Sequence, residues 1–292
     1  MQPLPELFSL IVYLGLLVAT PRTDLTIIDD LGRPVTLHAT ARRIISLAPS
    51  ITETLFALGA GDDVMGVTDF CNYPPAAKEK QRVGGITNPS LETMIDLKPD
   101  LIILSMEGNV REDFNKLAGI GVSVFVTNPR TLAGIHKSIH DIGLLTGRVG
   151  SALSLIGAMQ HDEDSIRLLA KSTNRVLLIV SLQPLIVVGG KTFLAELLEL
   201  AGGTNIAGTS PFTYPTLSRE TVVAANPDVI IVMSDALNAT DGLLGSFPEW
   251  KTLNAFRSHR VFRVDSDIVS RPGPRATDAL IHLYRIIHEG HE

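Results

Sequence analysis

Cysteine is almost absent: Cys71 is the only one in 292 residues. A lone thiol closes no intramolecular disulfide, builds no cysteine zinc site and says nothing of the redox compartment. Its setting, Asp69-Phe-Cys-Asn-Tyr-Pro-Pro, leaves three readings open: a buried small hydrophobe, an exposed thiol, or a soft ligand to a bound metal complex. Aromatic residues are scarce as well, at 5% with Trp250 the single tryptophan, so a ligand pocket must rest on a few aromatic positions. Runs of Lys and Arg are missing, and 25 basic against 31 acidic side chains leave a formal charge of -6. A nucleic-acid surface needs clustered cations to neutralise phosphates, so that class of partner is excluded. There is no Gly-x-Ser-x-Gly elbow, no Walker loop and no His-Glu-x-x-His helix. Val188-Gly-Gly-Lys-Thr lacks the first glycine of a phosphate loop. No catalytic residue is assigned, and an enzyme is not expected.

No apolar run reaches the ~20 residues that span a bilayer as a helix. Leu7 to Ala19 is shorter and gives way to the polar segment Thr20 to Asp24. That layout is expected of an export signal over residues 1–21, or of an anchor if the segment is retained, and it places the protein in the periplasm or an equivalent extracytoplasmic space. Glu6 stands where a signal usually carries positive charge, and no cysteine follows closely enough for lipid modification.

What the chain does have is core-forming capacity. With 45% hydrophobic residues over 292 positions, two domains are the default. From Asp24 onward, short apolar runs alternate with amphipathic stretches, which predicts α/β layers. Residues 25–29 and 34–37 read as a hairpin turned at Asp30 to Arg33. Residues 43–47, 101–104, 122–126, 176–180, 229–232 and 261–264 read as buried strands, and Pro49-Ser50 opens a helix running to Leu58. An internal repeat organises these elements. Ser90-Leu-Glu-Thr-Met-Ile-Asp-Leu-Lys-Pro-Asp-Leu-Ile-Ile-Leu returns from 218 as Ser-Arg-Glu-Thr-Val-Val-Ala-Ala-Asn-Pro-Asp-Val-Ile-Ile-Val, and residues 54–61 are echoed at 196–203. The expected architecture is two Rossmann-like α/β lobes with central sheets, over residues 22–130 and 173–292. Between them, residues 131–172 carry apolar positions at helical spacing and predict a long backbone helix, or two helices broken near Gly147 to Gly150. A cleft shared by two lobes is the usual ligand site.

Several segments in order, Arg43-Ile-Ile-Ser-Leu-Ala-Pro-Ser-Ile-Thr-Glu-Thr, Gly66-Val-Thr-Asp-Phe-Cys-Asn-Tyr-Pro-Pro, Val83-Gly-Gly-Ile-Thr-Asn-Pro-Ser-Leu-Glu, Leu200-Ala-Gly-Gly-Thr-Asn and Ser270-Arg-Pro-Gly-Pro-Arg, together resemble the helical-backbone class of periplasmic binding proteins. These serve ABC importers of cobalamin, haem and ferric siderophores. The 69–75 loop, the Gly-Gly-x-Thr-Asn-Pro segment at 84–89 and Glu107-Gly-Asn109 are most similar to the cobalamin-binding branch. The resemblance implies a protein without a resident cofactor that captures a corrinoid or other metal chelate. It further implies a monomer that delivers its cargo to a permease dimer with ATPase subunits. Haem or a ferric siderophore is the alternative cargo, and a two-lobed enzyme acting on a cofactor-like substrate is the alternative of another class.

By position, the resemblance carries ligand contact to Ser50, Phe70, Tyr73, Gly85, Asn88, Glu107, Asn109, Gln183, Phe212, Tyr214 and Arg271. The aromatic members fall in loops, where a ring can cover a planar macrocycle. Tyr73 and Tyr214, each followed by Pro, also suit a turn. Arg271 suits either a chelate's carboxylates or a tie to Asp265 or Asp267. The resemblance assigns Glu92 and Glu220, at matching places in the repeat, to permease docking through charge-assisted bonds to arginine, while a helix N-terminus alone also favours an acidic residue. His136 and His140 share a helix face but have no evident third ligand, so no metal site is assigned.

Overall fold

The computed structural model describes residues 24–106, 117, 119, 121–234 and 240–290. Residues 1–21, together with Glu107 and Asn109, lie outside them. The chain begins in a hairpin of β1 (Leu25–Ile28) and β2 (Pro34–Leu37). Its turn is closed by the Asp29 carboxylate, which accepts from the backbone N–H groups of Leu31 and Arg33 at 3.0 and 2.9 Å.

Two five-stranded sheets follow. In the first, β3 (Ile44–Ser46), β4 (Val64–Val67), β5 (Gln81–Arg82), β6 (Leu101–Ser105) and β7 (Ser123–Thr127) lie in the order β5-β4-β3-β6-β7, all parallel. In the second, β8 (Arg175–Leu182), β10 (Thr204–Asn205), β11 (Val229–Met233) and β12 (Val261–Val264) lie in the order β10-β8-β11-β12 and are parallel, with β9 (Leu185–Val187) antiparallel to β8. Every residue of β3, β6 and β11 is buried. Parallel strands are covered on both faces, so these read as unbroken apolar runs and not as alternating ones.

The helices are α1 (Pro49–Ala57), α2 (Leu91–Asp96), α3 (Leu132–Thr146), α4 (Val149–Leu169), α5 (Phe193–Leu200), α6 (Arg219–Ala225), α7 (Thr240–Ser246), α8 (Asn254–Arg257), α9 (Ser266–Val269) and α10 (Ala276–His288). No helix among the described residues is long and apolar enough to cross a membrane.

Of the two readings of residues 131–172, the broken one is realised. Gly147 adopts a left-handed conformation, φ 70°, and the Arg148 N–H closes back on the Gly143 carbonyl at 2.7 Å. Glycine takes that φ without the steric cost other residues meet, so α3 stops there. The chain then reverses: His136 on α3 meets Glu163 on α4 at 2.9 Å, which is possible only if the helices run antiparallel. The long backbone helix is therefore α4 alone, 21 residues or roughly 30 Å at 1.5 Å per residue.

Core packing ties the halves together. One apolar cluster runs from Ile27 and Ile44 of the first lobe, through Ile135, Ile139 and Met159 of the helix pair, to Val176, Ile231 and Leu283 of the second. Each sheet's other face has a smaller cluster of its own, around Ile45, Ile102 and Met94 in the first lobe and around Leu177, Ile230 and Trp250 in the second.

Candidate functional site: a cleft where two sheets end

Strand order locates the site. In the first sheet the chain steps from β3 outward to β4 and β5, then returns to place β6 and β7 on the other side, so the switch point lies between β3 and β6. Ligands of open α/β sheets bind beyond the carboxyl ends of strands at such a point. Ala48, Pro49 and Ser50 follow β3, and Ser105 closes β6. These four residues line a cleft of about 250 Å³ completed by Phe70 and Ile86 from the first lobe and by Asp267, Ser270, Arg271 and Pro272 from the second. Its volume is below the roughly 300–1,000 Å³ of enclosed small-molecule pockets, so a large ligand would rest on it and remain partly exposed.

The two lobes are fastened beside this cleft by a buried ionic group that motif reading passed over. Glu53, on α1 of the first lobe, is 3% exposed. Its Oε1 accepts from Arg271 at 2.8 Å and from Arg275 Nη2 at 2.7 Å, and its Oε2 accepts from Arg275 Nε at 2.8 Å. Hydrogen bonding to Glu53 pushes the Arg275 pKa further up. Arg271 also donates to Asn72 Oδ1 at 2.8 Å and pairs with Asp267, while Asn72 Nδ2 donates to Asp267 at 2.6 Å. The Arg275 guanidinium stands 4.3 Å from the centre of the Tyr73 ring. A buried carboxylate is tolerated only when paired and hydrogen-bonded, and here two arginines of the Arg271–Arg275 segment do both. Of the two roles read for Arg271, the tie to Asp267 is present; its fork is occupied by Glu53, Asn72 and Asp267, and the residue also forms part of the cleft wall.

The remaining positions fall as follows. Ser50 and Phe70 line the cleft, and Phe70 is 57% exposed. Tyr73 is exposed beside it, its ring against Arg275. Gly85 and Asn88 share the loop after Val83, and a side chain at 85 would come within 2.2 Å of Asn88 Oδ1, so Asn88 would have to turn away. Gln183 is exposed in the β8–β9 turn. Phe212, 68% exposed, and Tyr214 lie on a loop anchored to β9, where the Val187 N–H donates to the Pro215 carbonyl at 3.1 Å. Neither is among the residues lining the cleft cavity. Cys71 is fully buried, its Sγ within 3.1 and 3.2 Å of the Thr52 and Thr68 hydroxyls, which selects the first of its three readings.

Glu92 and Glu220 are exposed on α2 and α6, each in the first turn. The repeat extends to the caps: Ser90 Oγ accepts from the Thr93 N–H at 3.3 Å and Ser218 Oγ from the Thr221 N–H at 3.1 Å. Hydrogen bonds from its own backbone N–H and from Ser218 hold the Glu220 carboxyl below the usual range.

Comparison with known proteins places this architecture. Over 277 residues the chain is 33% identical to the uncharacterized ABC transporter substrate-binding lipoprotein YvrC of Bacillus subtilis (strain 168), covering 90% of this chain and 85% of that protein. It is 30% identical to a vitamin B12-binding protein of Vibrio parahaemolyticus, over 82% of this chain and 87% of the relative. Among solved structures, the periplasmic vitamin B12 binding protein of Vibrio cholerae superposes with a TM-score of 0.74 at 28% identity, covering 85% of this chain and 96% of that one. The periplasmic heme-binding protein from Roseiflexus sp. RS-1, in apo form, gives 0.78 at 27% identity, with coverages of 85% and 98%. Residues 44–268 match the periplasmic binding protein family, and the chain belongs to it.

Proposed function

We propose that the protein is the substrate-binding component of an ABC importer, that it works outside the cytoplasm, and that its cargo is a corrinoid. The observation that carries the cargo reading is the exposed Phe70 ring on the wall of an open cleft formed by the carboxyl ends of β3 and β6 and the 267–272 segment. A flat macrocycle buries one face against such a ring and leaves its periphery in solvent, which suits a shallow site and a bulky ligand. The described residues lining the cavity include no His, Cys, Met or Tyr. A chelate that brings its own axial groups therefore fits better than one that must take them from the protein. Curated relatives that bind vitamin B12, at about 30% identity, support the same choice.

Haem keeps one specific support. Tyr73 lies on the same loop as Phe70 and is exposed, and a tyrosine oxygen is a known haem-iron ligand. Calorimetric titration with cyanocobalamin, cobinamide, hemin and ferrichrome separates these readings. Saturable heat with a corrinoid, retained in Tyr73→Phe, is expected. Heat with hemin alone, abolished by Tyr73→Phe, overturns the corrinoid reading. Turnover of any of these ligands would move the chain to the enzyme class.

A further inference from the structure

The Phe70–Tyr73 loop belongs to the first lobe but is held by both lobes. Within its own lobe, Arg82 donates to the carbonyls of Thr68 and Cys71 at 2.7 and 3.0 Å, and the Cys71 side chain is buried between two threonines. Asn72 and Tyr73, by contrast, are engaged by Arg271, Asp267 and Arg275. The Phe70 carbonyl also lies 3.4 Å from Arg271. Both arginines converge on the carboxylate of Glu53. Close approach of the backbones reinforces the join, since a side chain at Gly273 would come within 3.2 Å of the Ser50 carbonyl oxygen.

We propose that Glu53 is a positioning residue for ligand capture: by orienting Arg271 and Arg275 of the second lobe, it fixes the aromatic loop of the first lobe against the cleft and sets the separation of the lobes. Glu53 itself is buried and is not among the residues lining the cleft. It acts through the arginines, whose planar forks hold a geometry that a point charge would not. Without the carboxylate, two cations 2.7 and 2.8 Å from its oxygens lose their shared partner and repel each other, and the contacts to Asn72 and Tyr73 loosen. A loop held ready in advance spends less binding energy on being ordered by the ligand, so the expected signature is faster release. The loop's role at a ligand rests on the function proposed above, whereas its tethering does not.

The test is hydrogen exchange of residues 68–74 in the ligand-free protein, combined with the distance between spin labels placed one on each lobe. Glu53→Gln, nearly isosteric, should raise exchange in 68–74 at least tenfold and broaden the interlobe distance. Exchange in β6 and β11 should be unchanged, which separates this role from general loss of stability. Asn72→Ala, which leaves no buried charge unpaired, should reproduce the loop effect without the interlobe one and serves if Glu53→Gln does not fold. Either variant, folded and exchanging like the native chain in 68–74, overturns the proposal. Cyanocobalamin release from both variants should be about tenfold faster. Failure of native protein to bind cyanocobalamin would count against the cargo reading alone, because the exchange and distance results stand without it.

Discussion

A methyl group placed on Gly143 would lie 2.6 Å from Cβ of Ala152, so α3 and α4 approach too closely at this crossing for a side chain at 143 without a shift. Gly143→Ala should push the pair apart and destabilise the protein by about 1–3 kcal/mol through overpacking, less the roughly 0.5–1 kcal/mol gained by removing a helical glycine. The double variant with Ala152→Gly should recover most of the loss in a denaturant titration. A Gly143→Ala variant of full stability would mean that the helices adjust freely here.

The resemblance assigns Glu92 and Glu220 to docking, and both are exposed in the first turn of a serine-capped helix, so on that assignment charge reversal at either should weaken docking. Glu92→Lys together with Glu220→Lys should abolish uptake by reconstituted importer while leaving cargo affinity within twofold. Loss of affinity instead would place these residues at the ligand. Since the Glu220 carboxyl lies below its ordinary range, its contribution should persist as pH falls through the mildly acidic range, and be lost only as protonation sets in at the lower folded-state pKa.

Lys137 reaches from α3 to Asp30 of the hairpin turn and to Asp141, both at 2.8 Å. Burial lowers its pKa, but the two carboxylates outweigh this and leave it raised. A folded-state pKa above the unfolded value contributes stability that is fully present below the unfolded pKa and fades as pH rises through the folded one. Native protein should thus lose stability relative to Lys137→Met above about pH 10, and the difference should be constant between pH 6 and 9. Parallel melting curves of the two proteins across the alkaline range would disprove the coupling.

Cys71, sealed between Thr52 and Thr68, should be inert toward a charged thiol reagent in native buffer and react stoichiometrically in denaturant. Rapid native labelling would show that the 69–75 loop opens.

Much of this arrangement is legible in the chain. The strands at 43–47, 101–104, 176–180 and 229–232 stand out because buried parallel strands are nearly unbroken aliphatic runs, 261–264 stands out by alternation, with Arg263 exposed, and the repeat pairs Glu92 with Glu220 before any coordinates are seen. β4 hides behind Gly66, where a side chain would strike Val83 and Leu97 at 2.8 and 2.9 Å. β5 and β10 are two-residue strands, too short to carry a period. Glu53 escaped because its partners are more than 200 residues away, a separation that no local spacing encodes. The sole hint was an acidic residue in the turn between buried Ile51 and Leu55 of α1. A similar separation hid the Glu53 and Asn72 partners of Arg271.

The apolar cluster that passes from the first sheet through the helix pair into the second bears on how the molecule melts. Two lobes with separate cores would give a calorimetric trace with two peaks. Here neither lobe can lose its inner face without stripping cover from the other, so the unit of cooperativity is the whole molecule. Heating should produce one endotherm whose van't Hoff and calorimetric enthalpies agree.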